Sequence, residues 1–472
     1  MRGEALLKRE TALFMEEVAA ATGGRIARGR PDSVFGGVSI DTRTLRRGEL
    51  FVAIAGPRFD GHDFLADAAA RGALAVMVEK DVIVPPGLEI IRVKDTTRAL
   101  ADLARHLRLM SEIPLVAITG STGKTTTKEM TATLLEAGRG PVLKTEGNLN
   151  NRYGLPLTLF RLRPEHVAAV VELGMSAAGE LRALSGIAHP DVAVVTNVAP
   201  VHLEFFESLD AIARAKAEIL EGLRHPGTAV LNRDDPRVRA MAEGFRGDVV
   251  WFGKDRSCDV SAENWRGTVH GMRFDLRLPG RTVDTALPLP GPHFMLDFLA
   301  AAGAAYRLGV DAETIAAAAA GIRAVRHRGE LRRLGQGVTL LDDCYNSNPS
   351  ALQAAVVALG LSARGRRVAF LGDMLELGPG AAALHEEAGE TIAGRLDVIV
   401  AVGPLAGAFL EGARRGRAAV PALHAFPDSA AAAAEAAGLV KPGDAVLVKG
   451  SRGVRMEAIV EALVAALGTV EE

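Results

Sequence analysis

Gly120-Ser121-Thr122-Gly123-Lys124-Thr125 follows the short apolar run LVAIT and precedes a helix-compatible stretch, TTKEMTATLLEA. A glycine-rich turn between a strand and a helix lets backbone N–H groups converge on an anion, and the helix N-terminus adds partial positive charge. Lys124 can then reach the phosphates of a nucleotide, and Thr125 can offer a hydroxyl to Mg²⁺. Ile118 stands where the strict phosphate-loop pattern has Gly, so the loop is a shortened form. The pattern specifies a nucleotide far better than it specifies a reaction. Its bland alternative is a tight turn with a solvated lysine.

Other polar clusters also fall at the ends of apolar runs: Glu172, Asn197, Asp342-Asp343, Gly372-Asp373 and Lys449–Arg452. In open α/β sheets ligands sit beyond the carboxyl ends of the strands, so these clusters are candidates for one site in a cleft between domains. Lysines are scarce, 10 against 45 arginines. Where only positive charge is wanted this chain uses Arg, which draws attention to the compact amines of Lys124, Lys216 and Lys449.

The elements that must position these groups fall into three blocks with an α/β reading. Residues 1–110 combine a helix over 1–23 with short strands and a helix over 64–71. Residues 111–325 alternate apolar runs (LVAIT, VAAVVELG, DVAVVTNV, TAVLN, VVWFG) with helix-length segments, the mark of a mainly parallel sheet. Within that block, residues 259–290 read as antiparallel strands, with Met272, Phe274, Leu276 and Leu278 on alternate positions. Residues 326–472 repeat the parallel scheme through VTLLDDCY, RVAFLGDM, DVIVAVG and DAVLVKGS. A chain of 472 residues exceeds what one core serves, about 250–300 residues. Net charge is −2, which offers nucleic acid or an anionic membrane no general attraction. Two cysteines, Cys258 and Cys344, make no disulfide framework, the first residues are charged throughout, and no apolar run reaches the ~20 residues of a membrane span. The expectation is a cytoplasmic, monomeric protein with small-molecule partners, no nucleic acid and no membrane.

The loop does not occur alone. TGSTGKTTTKEM, TEGNLNNRYGLPLTL, VVELGMSAAGEL, NVAPVHLEFFESLDAIARAKAEI, LLDDCYNSNPSAL, FLGDMLELG with a following His385, and VKGSRGVRME run in this order, and together they resemble the Mur ligases. The match spans about residues 39 to 460. GNLNN, DDCYNSNP and GDMLELG point to the branch that adds D-alanyl-D-alanine to UDP-N-acetylmuramoyl-tripeptide. The resemblance implies three domains: a small N-terminal α/β domain for the UDP end, a central phosphate-loop ATPase, and a C-terminal Rossmann-like domain. It implies ATP and Mg²⁺, two ions being expected, and an acyl-phosphate intermediate that the dipeptide amine attacks.

By resemblance, Lys124, Glu172, His202 and Lys216 are the catalytic set, and Thr125, Glu172, His202 and Lys216 are the metal positions. Gly120, Ser121, Thr122, Gly123, Lys124, Thr125 and Thr126 hold the nucleotide, together with His293, Arg328, Asp343 and Asn346. Ser39, Asp41 and Arg43 match the UDP side and Asn148, Asn150 and Asn151 the muramyl peptide, while Lys449 and Arg452 suit phosphate or the dipeptide carboxylate. Lys216 would carry a carbamate formed with CO₂. An ammonium facing a metal would be repelled, since two unit charges ~4 Å apart at an effective dielectric of ~20 interact by about 4 kcal/mol. Read as bare sequence, Lys216 is an exposed helix residue paired with Glu218 or Glu221, His202 a loop histidine, and the Asn run a loop.

The chain departs from the family at two places. His293-Phe294-Met295-Leu296-Asp297-Phe298 stands where the family commonly has His-Asn-x-x-Asn-Ala, on the adenine side; Phe294 would either stack on the base or join the core. Arg326-His327 replaces a Pro-Gly hinge. The competing readings are another ligase of this fold, including a folylpolyglutamate-type enzyme, a phosphate-loop ATPase acting as a switch or kinase, and a silent binding protein.

Overall fold

The computed structural model describes residues 13–201, 203–268, 271–416 and 422–470, so His202 lies outside the described residues, as does most of the first half of the helix expected over 1–23. The described chain divides into two compact units. The first comprises residues up to Ile118 with Arg139–Ala193 and Glu218–Thr228; the second comprises Thr119–Gly138, Val194–Ala217 and the chain from Ala229 on.

In the first unit, strands Arg25–Arg28, Glu89–Arg92, Ala75–Val78, Leu50–Val52 and Val38–Ser39 form one sheet in that order. Only the first pair is antiparallel. Ala75–Val78 is apolar at every position because both of its faces are covered, as a parallel sheet demands. The helix Thr96–Met110 begins where the Asp95 carboxylate accepts from the Arg98 amide at 2.9 Å. It buries Ala99, Leu100, Leu103 and Ala104, one stripe at helical spacing. Ala168–Glu172 lies between two parallel neighbours, Leu115–Thr119 and Val142–Lys144, and this brings Glu172 to a strand end.

The last turn of that helix carries the unit's main polar clamp. Arg108 is 1% exposed, and its guanidinium donates to the carbonyls of Ala188, His189, Ser111 and Ile113 and to Asp191 Oδ2 at 2.7 Å. Asp191 also accepts from the Leu115 amide at 2.8 Å, so one ion pair fixes the start of the strand that leads to the phosphate loop.

In the second unit, Val260–Thr268, Gly271–Leu278 and Arg281–Leu287 are antiparallel, and Met272, Phe274, Leu276 and Leu278 all point inward. The pair before them, Asp248–Gly253 with Val260–Thr268, is parallel. A second sheet runs Glu330–Arg333, Thr339–Asp343, Ala445–Lys449, Arg367–Gly372, Val398–Val402, Ala422–Phe426. It is parallel except for its first pair and carries an apolar core on each face. The four inner strands are those expected from sequence. The two edges, ELRR and ALHAF, are half-exposed and carry no apolar run to betray them. Among the described residues, no helix is long and apolar enough to cross a membrane.

Replacing Arg108 by Ala takes the donor from four carbonyls and from the half-buried Asp191 carboxylate, which keeps Arg224 at 3.6 Å. Losing charge-assisted hydrogen bonds of this kind costs about 1.5–3 kcal/mol. Arg108→Ala is expected to lower the thermal midpoint of the first unit by several degrees, and Arg108→Lys to restore little of it, because one ammonium cannot replace the fork. Differential scanning calorimetry checks both.

Candidate active site

The phosphate loop is held open from outside. Asn197 Oδ1 accepts from the Thr122 amide at 3.0 Å while its Nδ2 donates to Thr122 Oγ1 at 2.8 Å. Thr196 Oγ1 donates to the Thr122 carbonyl at 2.6 Å, and Ser121 Oγ exchanges hydrogen bonds with the backbone of Ala199. These residues follow the strand Val192–Val195, so a second strand end shapes the loop of the first. The loop then enters the helix Lys124–Arg139, with Thr125 and Thr126 buried in its first turn. Lys124 Nζ lies back over the loop, donating to the Gly120 carbonyl at 2.8 Å.

Two glycines have no substitute. A Cβ on Gly120 would sit 1.8 Å from Thr196 Oγ1, and one on Gly123 would sit 2.1 Å from Asp297 Oδ1, with Gly123 at φ +80°. The second contact was not legible in the sequence: the Asp297 carboxyl lies directly against the phosphate loop.

Lys216 lies on the helix Leu209–Ala217 and is 2% exposed, which corrects the solvent-exposed reading. Glu218 instead accepts from the Gly179 amide at 2.9 Å, and Glu221 pairs with Arg182. Burial first, and Lys124 nearby second, push the Lys216 amine well below its ordinary range. Lys449 solves the same problem differently. It is 3% exposed and donates to Asp343 Oδ2 at 2.6 Å and to the Asn346 carbonyl at 3.0 Å. Burial raises the Asp343 carboxyl despite that partner.

Arg328 stacks on the Tyr345 ring at 3.8 Å, and Arg452 approaches the same ring at 5.5 Å while staying largely exposed beside Glu457. Two guanidiniums thus gather at one aromatic ring. Tyr345 and Asn197 were not assigned roles from sequence, although Asn197 stood among the strand-end clusters. The loops carrying Tyr345 and Arg452 are tied together by Ser451 Oγ, which donates to the Ser347 carbonyl at 3.4 Å and accepts from the Leu375 amide at 2.9 Å, while the Met374 amide donates to His385 Nε2 at 2.9 Å.

His293 starts the helix Pro292–Arg307, and burial with Lys449 nearby pushes its imidazole down to about 3. Its Nδ1 is buried with no hydrogen-bond partner among the described residues. Phe294 takes the core alternative. It is 4% exposed, its ring lies 4.1 Å from that of His293, and its tip fills the space over Gly329.

In the first unit, Asn150 Nδ2 donates to Glu172 Oε1 at 2.8 Å, and Glu172 is 4% exposed. Asn151 caps the helix Gly154–Leu159 through its Oδ1, and Asn148 is exposed. Ser39 closes a turn on Asp41, whose carboxylate holds exposed Arg43 through paired bonds; Arg43 in return keeps that carboxyl below its usual range.

Three family models match the chain in order: the Mur ligase catalytic domain over residues 34–108, the Mur ligase middle domain over 118–305, and the Mur ligase glutamate ligase domain over 327–452. The UDP-N-acetylmuramoyl-tripeptide–D-alanyl-D-alanine ligase of Escherichia coli K12 is 38% identical over 437 residues, covering 92% of this chain and 94% of its own. The crystal structure of MurF from Acinetobacter baumannii superposes with a TM-score of 0.89 at 33% identity, covering 96% and 99% of the two chains. MurF from Thermotoga maritima in complex with ADP gives 0.80 at 32% identity over 90% and 96%.

Gly123→Ala forces a side chain into the Asp297 carboxyl at a left-handed backbone position. ADP affinity is expected to fall at least tenfold, about 1.4 kcal/mol, and the clash at a left-handed backbone position lowers the thermal midpoint as well. Isothermal titration calorimetry on folded variant protein checks it.

Proposed function

The chain belongs to the Mur ligase family, and from that membership we infer its reaction. It is an ATP-dependent ligase that joins D-alanyl-D-alanine to UDP-N-acetylmuramoyl-tripeptide, forming a C–N bond with release of ADP and phosphate, a step of peptidoglycan synthesis. It has the three-domain α/β architecture of the family, with a central phosphate-loop domain and a C-terminal Rossmann-like domain. Its near end-to-end likeness to ligases of this specificity carries the reading. We place the domain boundaries at 1–110, 111–325 and 326–472, and the enzyme in the cytoplasm as a monomer.

The tripeptide's terminal carboxylate attacks the γ-phosphorus of ATP; the bond to ADP breaks and an acyl phosphate forms. The amine of D-alanyl-D-alanine then attacks the acyl carbon, and the tetrahedral intermediate expels phosphate as the amine loses its proton. The protein's part is positioning and charge neutralisation. In this reading Lys124 and the amides of Gly120–Thr126 hold the β- and γ-phosphates, and Arg328 faces the transferred phosphoryl group. His293 Nδ1, orphaned in a dry setting, is available to the nucleotide, as are Asp343 and Asn346. Lys449 and Arg452 take phosphate or the dipeptide carboxylate. Ser39, Asp41 and Arg43 take the UDP end, and Asn148, Asn150 and Asn151 the muramyl peptide.

Thr125, Glu172, His202 and Lys216 are proposed to hold Mg²⁺, two ions in all. The hydroxyl and carboxylate suit a hard cation, whereas a lysine amine does not. Bound there, Mg²⁺ would neutralise phosphate charge. A carbamate on Lys216 would supply oxygen donors in place of the ammonium. Burial supports it, because an amine held below its ordinary pKa is uncharged over more of the pH range, and only the uncharged amine attacks CO₂.

Phosphate release is expected from ATP and Mg²⁺ only when UDP-N-acetylmuramoyl-tripeptide and D-alanyl-D-alanine are both present, with the pentapeptide product seen by mass. Release without either substrate would sink the ligase reading in favour of a general ATPase. Lys216→Arg is expected to lower kcat about a hundredfold or more while ADP still binds. Native mass spectrometry in bicarbonate should show one CO₂ adduct on the unaltered protein and none on the variant; a fully active protein without the adduct overturns the carbamate.

A further inference from the structure

Residues Val325 to Arg328 make a tight turn with an unsuitable residue at its third position. The Arg328 amide donates to the Val325 carbonyl at 2.9 Å, and of the two central residues only His327 has positive φ, +62°. That is a type II turn. Proline suits its second position by presetting φ, and glycine suits its third, where a side chain is strained. This chain has Arg326 and His327 there instead, so it lacks both the stiffening ring and the unstrained residue. Such strain persists only where the surroundings over-determine it, and it is a starting point for a functional hypothesis.

The imidazole supplies what glycine could not. Its Nδ1 donates to Asp342 Oδ2 at 2.8 Å and its Nε2 accepts from Arg326 Nε at 3.1 Å. Asp342 is itself a fixed anchor at the end of the strand Thr339–Asp343: it is fully buried, faces Arg332 at 3.2 Å and accepts from Cys344 Sγ at 3.1 Å. Backbone adds one more tie, since the His327 carbonyl accepts the Tyr345 amide at 3.0 Å. The residue after this clamp is Arg328, whose guanidinium lies 3.8 Å over the Tyr345 ring. Gly329 follows beneath the Phe294 ring, and on the helix that carries Phe294 the Asp297 carboxyl lies against Gly123 of the phosphate loop. Burial raises the carboxyls of Asp297 and Asp343, and the charge of Arg328 opposes it at both, which sets this guanidinium within electrostatic reach of the loop.

We propose that His327 is a positioning residue, its imidazole fastening the turn to Asp342 so that Arg328 meets the transferred phosphoryl group in one orientation. The side chain does by hydrogen bonding what a proline ring at 326 would do by covalent restraint. It acts through Arg328 and not on a reacting atom. A loosened turn would let the guanidinium leave the Tyr345 ring and sample many directions, and the ordering would then have to be made anew in the transition state. The inference rests on the ligase reading, in which Arg328 faces the transferred phosphoryl group, and adds how this chain holds that arginine.

The test is steady-state ligation by the full-length protein with ATP, Mg²⁺, UDP-N-acetylmuramoyl-tripeptide and D-alanyl-D-alanine, with ADP affinity read by calorimetry. His327→Gly keeps the turn's backbone and removes the clamp. It is expected to lower kcat about tenfold or more, while ADP, which lacks the transferred phosphoryl group, binds within about twofold of its affinity for the unaltered protein. Adding Arg326→Pro to that variant is expected to restore most of kcat, because proline stiffens the same turn from its second position. A merely structural loss at Asp342 would not be mended from there. Arg328→Lys keeps a charge but has no planar face to stack, and on that background His327→Gly is expected to cost less than about twofold in kcat. Full kcat in His327→Gly overturns the proposal, as does no recovery with proline, an equal fall in ADP affinity, or the same loss on the Arg328→Lys background. No ligation by the unaltered protein overturns the ligase reading and the inference with it. Should His327→Gly fail to fold, His327→Asn takes its place with the same outcomes, since asparagine tolerates the left-handed backbone and is too short to bridge Asp342 and Arg326.

Discussion

A phosphate loop must leave several amides unpaired and aimed at one point, an arrangement that a short turn left to itself would relax. Here Thr196, Asn197 and Ala199 prevent that relaxation by taking the Thr122 amide, carbonyl and hydroxyl and the Ser121 hydroxyl into fixed bonds. The cost falls on sequence freedom: Thr196 comes so close that Gly120 admits no Cβ, and Asp297 imposes the same on Gly123. Much else in the second unit follows from this. Thr196 and Asn197 need the end of a strand to stand on, and that strand end is further fixed by Asn232, whose side-chain amide donates to the Thr196 carbonyl at 2.8 Å.

Charge is used sparingly around the loop. Of ten lysines in the chain, Lys128, Lys216 and Lys449 are almost wholly buried in one unit with the loop, Lys128 beside Glu129 at 2.6 Å. A buried ammonium costs several kcal/mol unless it is paired or neutralised. Lys449 takes the first route through Asp343, whose own carboxyl is raised by the same dry surroundings. Lys216 has no carboxylate partner among the described residues and takes the second, its amine held well below the ordinary range. Arginine could not take the second route, because it does not deprotonate, whereas paired burial is open to it, as at Arg108. The rarity of lysine in this chain thus has a physical counterpart at Lys216.

The phosphate loop, the inner strands of both sheets and the antiparallel run with Met272 to Leu278 inward were all legible in the sequence, because each writes a period or a glycine pattern into consecutive residues. What escaped were relations between distant residues. Arg108 reads as one more helix arginine, yet it holds four carbonyls and Asp191. Asn197 could be seen at a strand end but not as the partner of Thr122, 75 residues away. The edge strands ELRR and ALHAF were missed because an edge has one neighbour and little apolar cover, so their register comes from that neighbour. The roles carried over by resemblance for Ser39, Asn148 and Arg452 concern ligands, and local geometry alone does not assign them.

The departures at residues 294 and 327 meet at the same place. Phe294 closes over Gly329, and Gly329 cannot carry a side chain without displacing the ring. Two residues earlier, His327 adopts φ +62°, a backbone state that favours glycine and costs another residue about 1 kcal/mol or more. That strain is offset locally. His327 Nδ1 donates to Asp342 Oδ2 at 2.8 Å, its Nε2 accepts from Arg326 at 3.1 Å, and its carbonyl accepts the Tyr345 amide at 3.0 Å. Asp342 is fully buried and also faces Arg332 at 3.2 Å, so the histidine supplies one of the partners that a carboxylate at that depth requires. The segment entering the second sheet is therefore held by a ring packed on a glycine and by a histidine in a glycine's conformation. Arg328 stands between the two, and its stacking on Tyr345 is set by both.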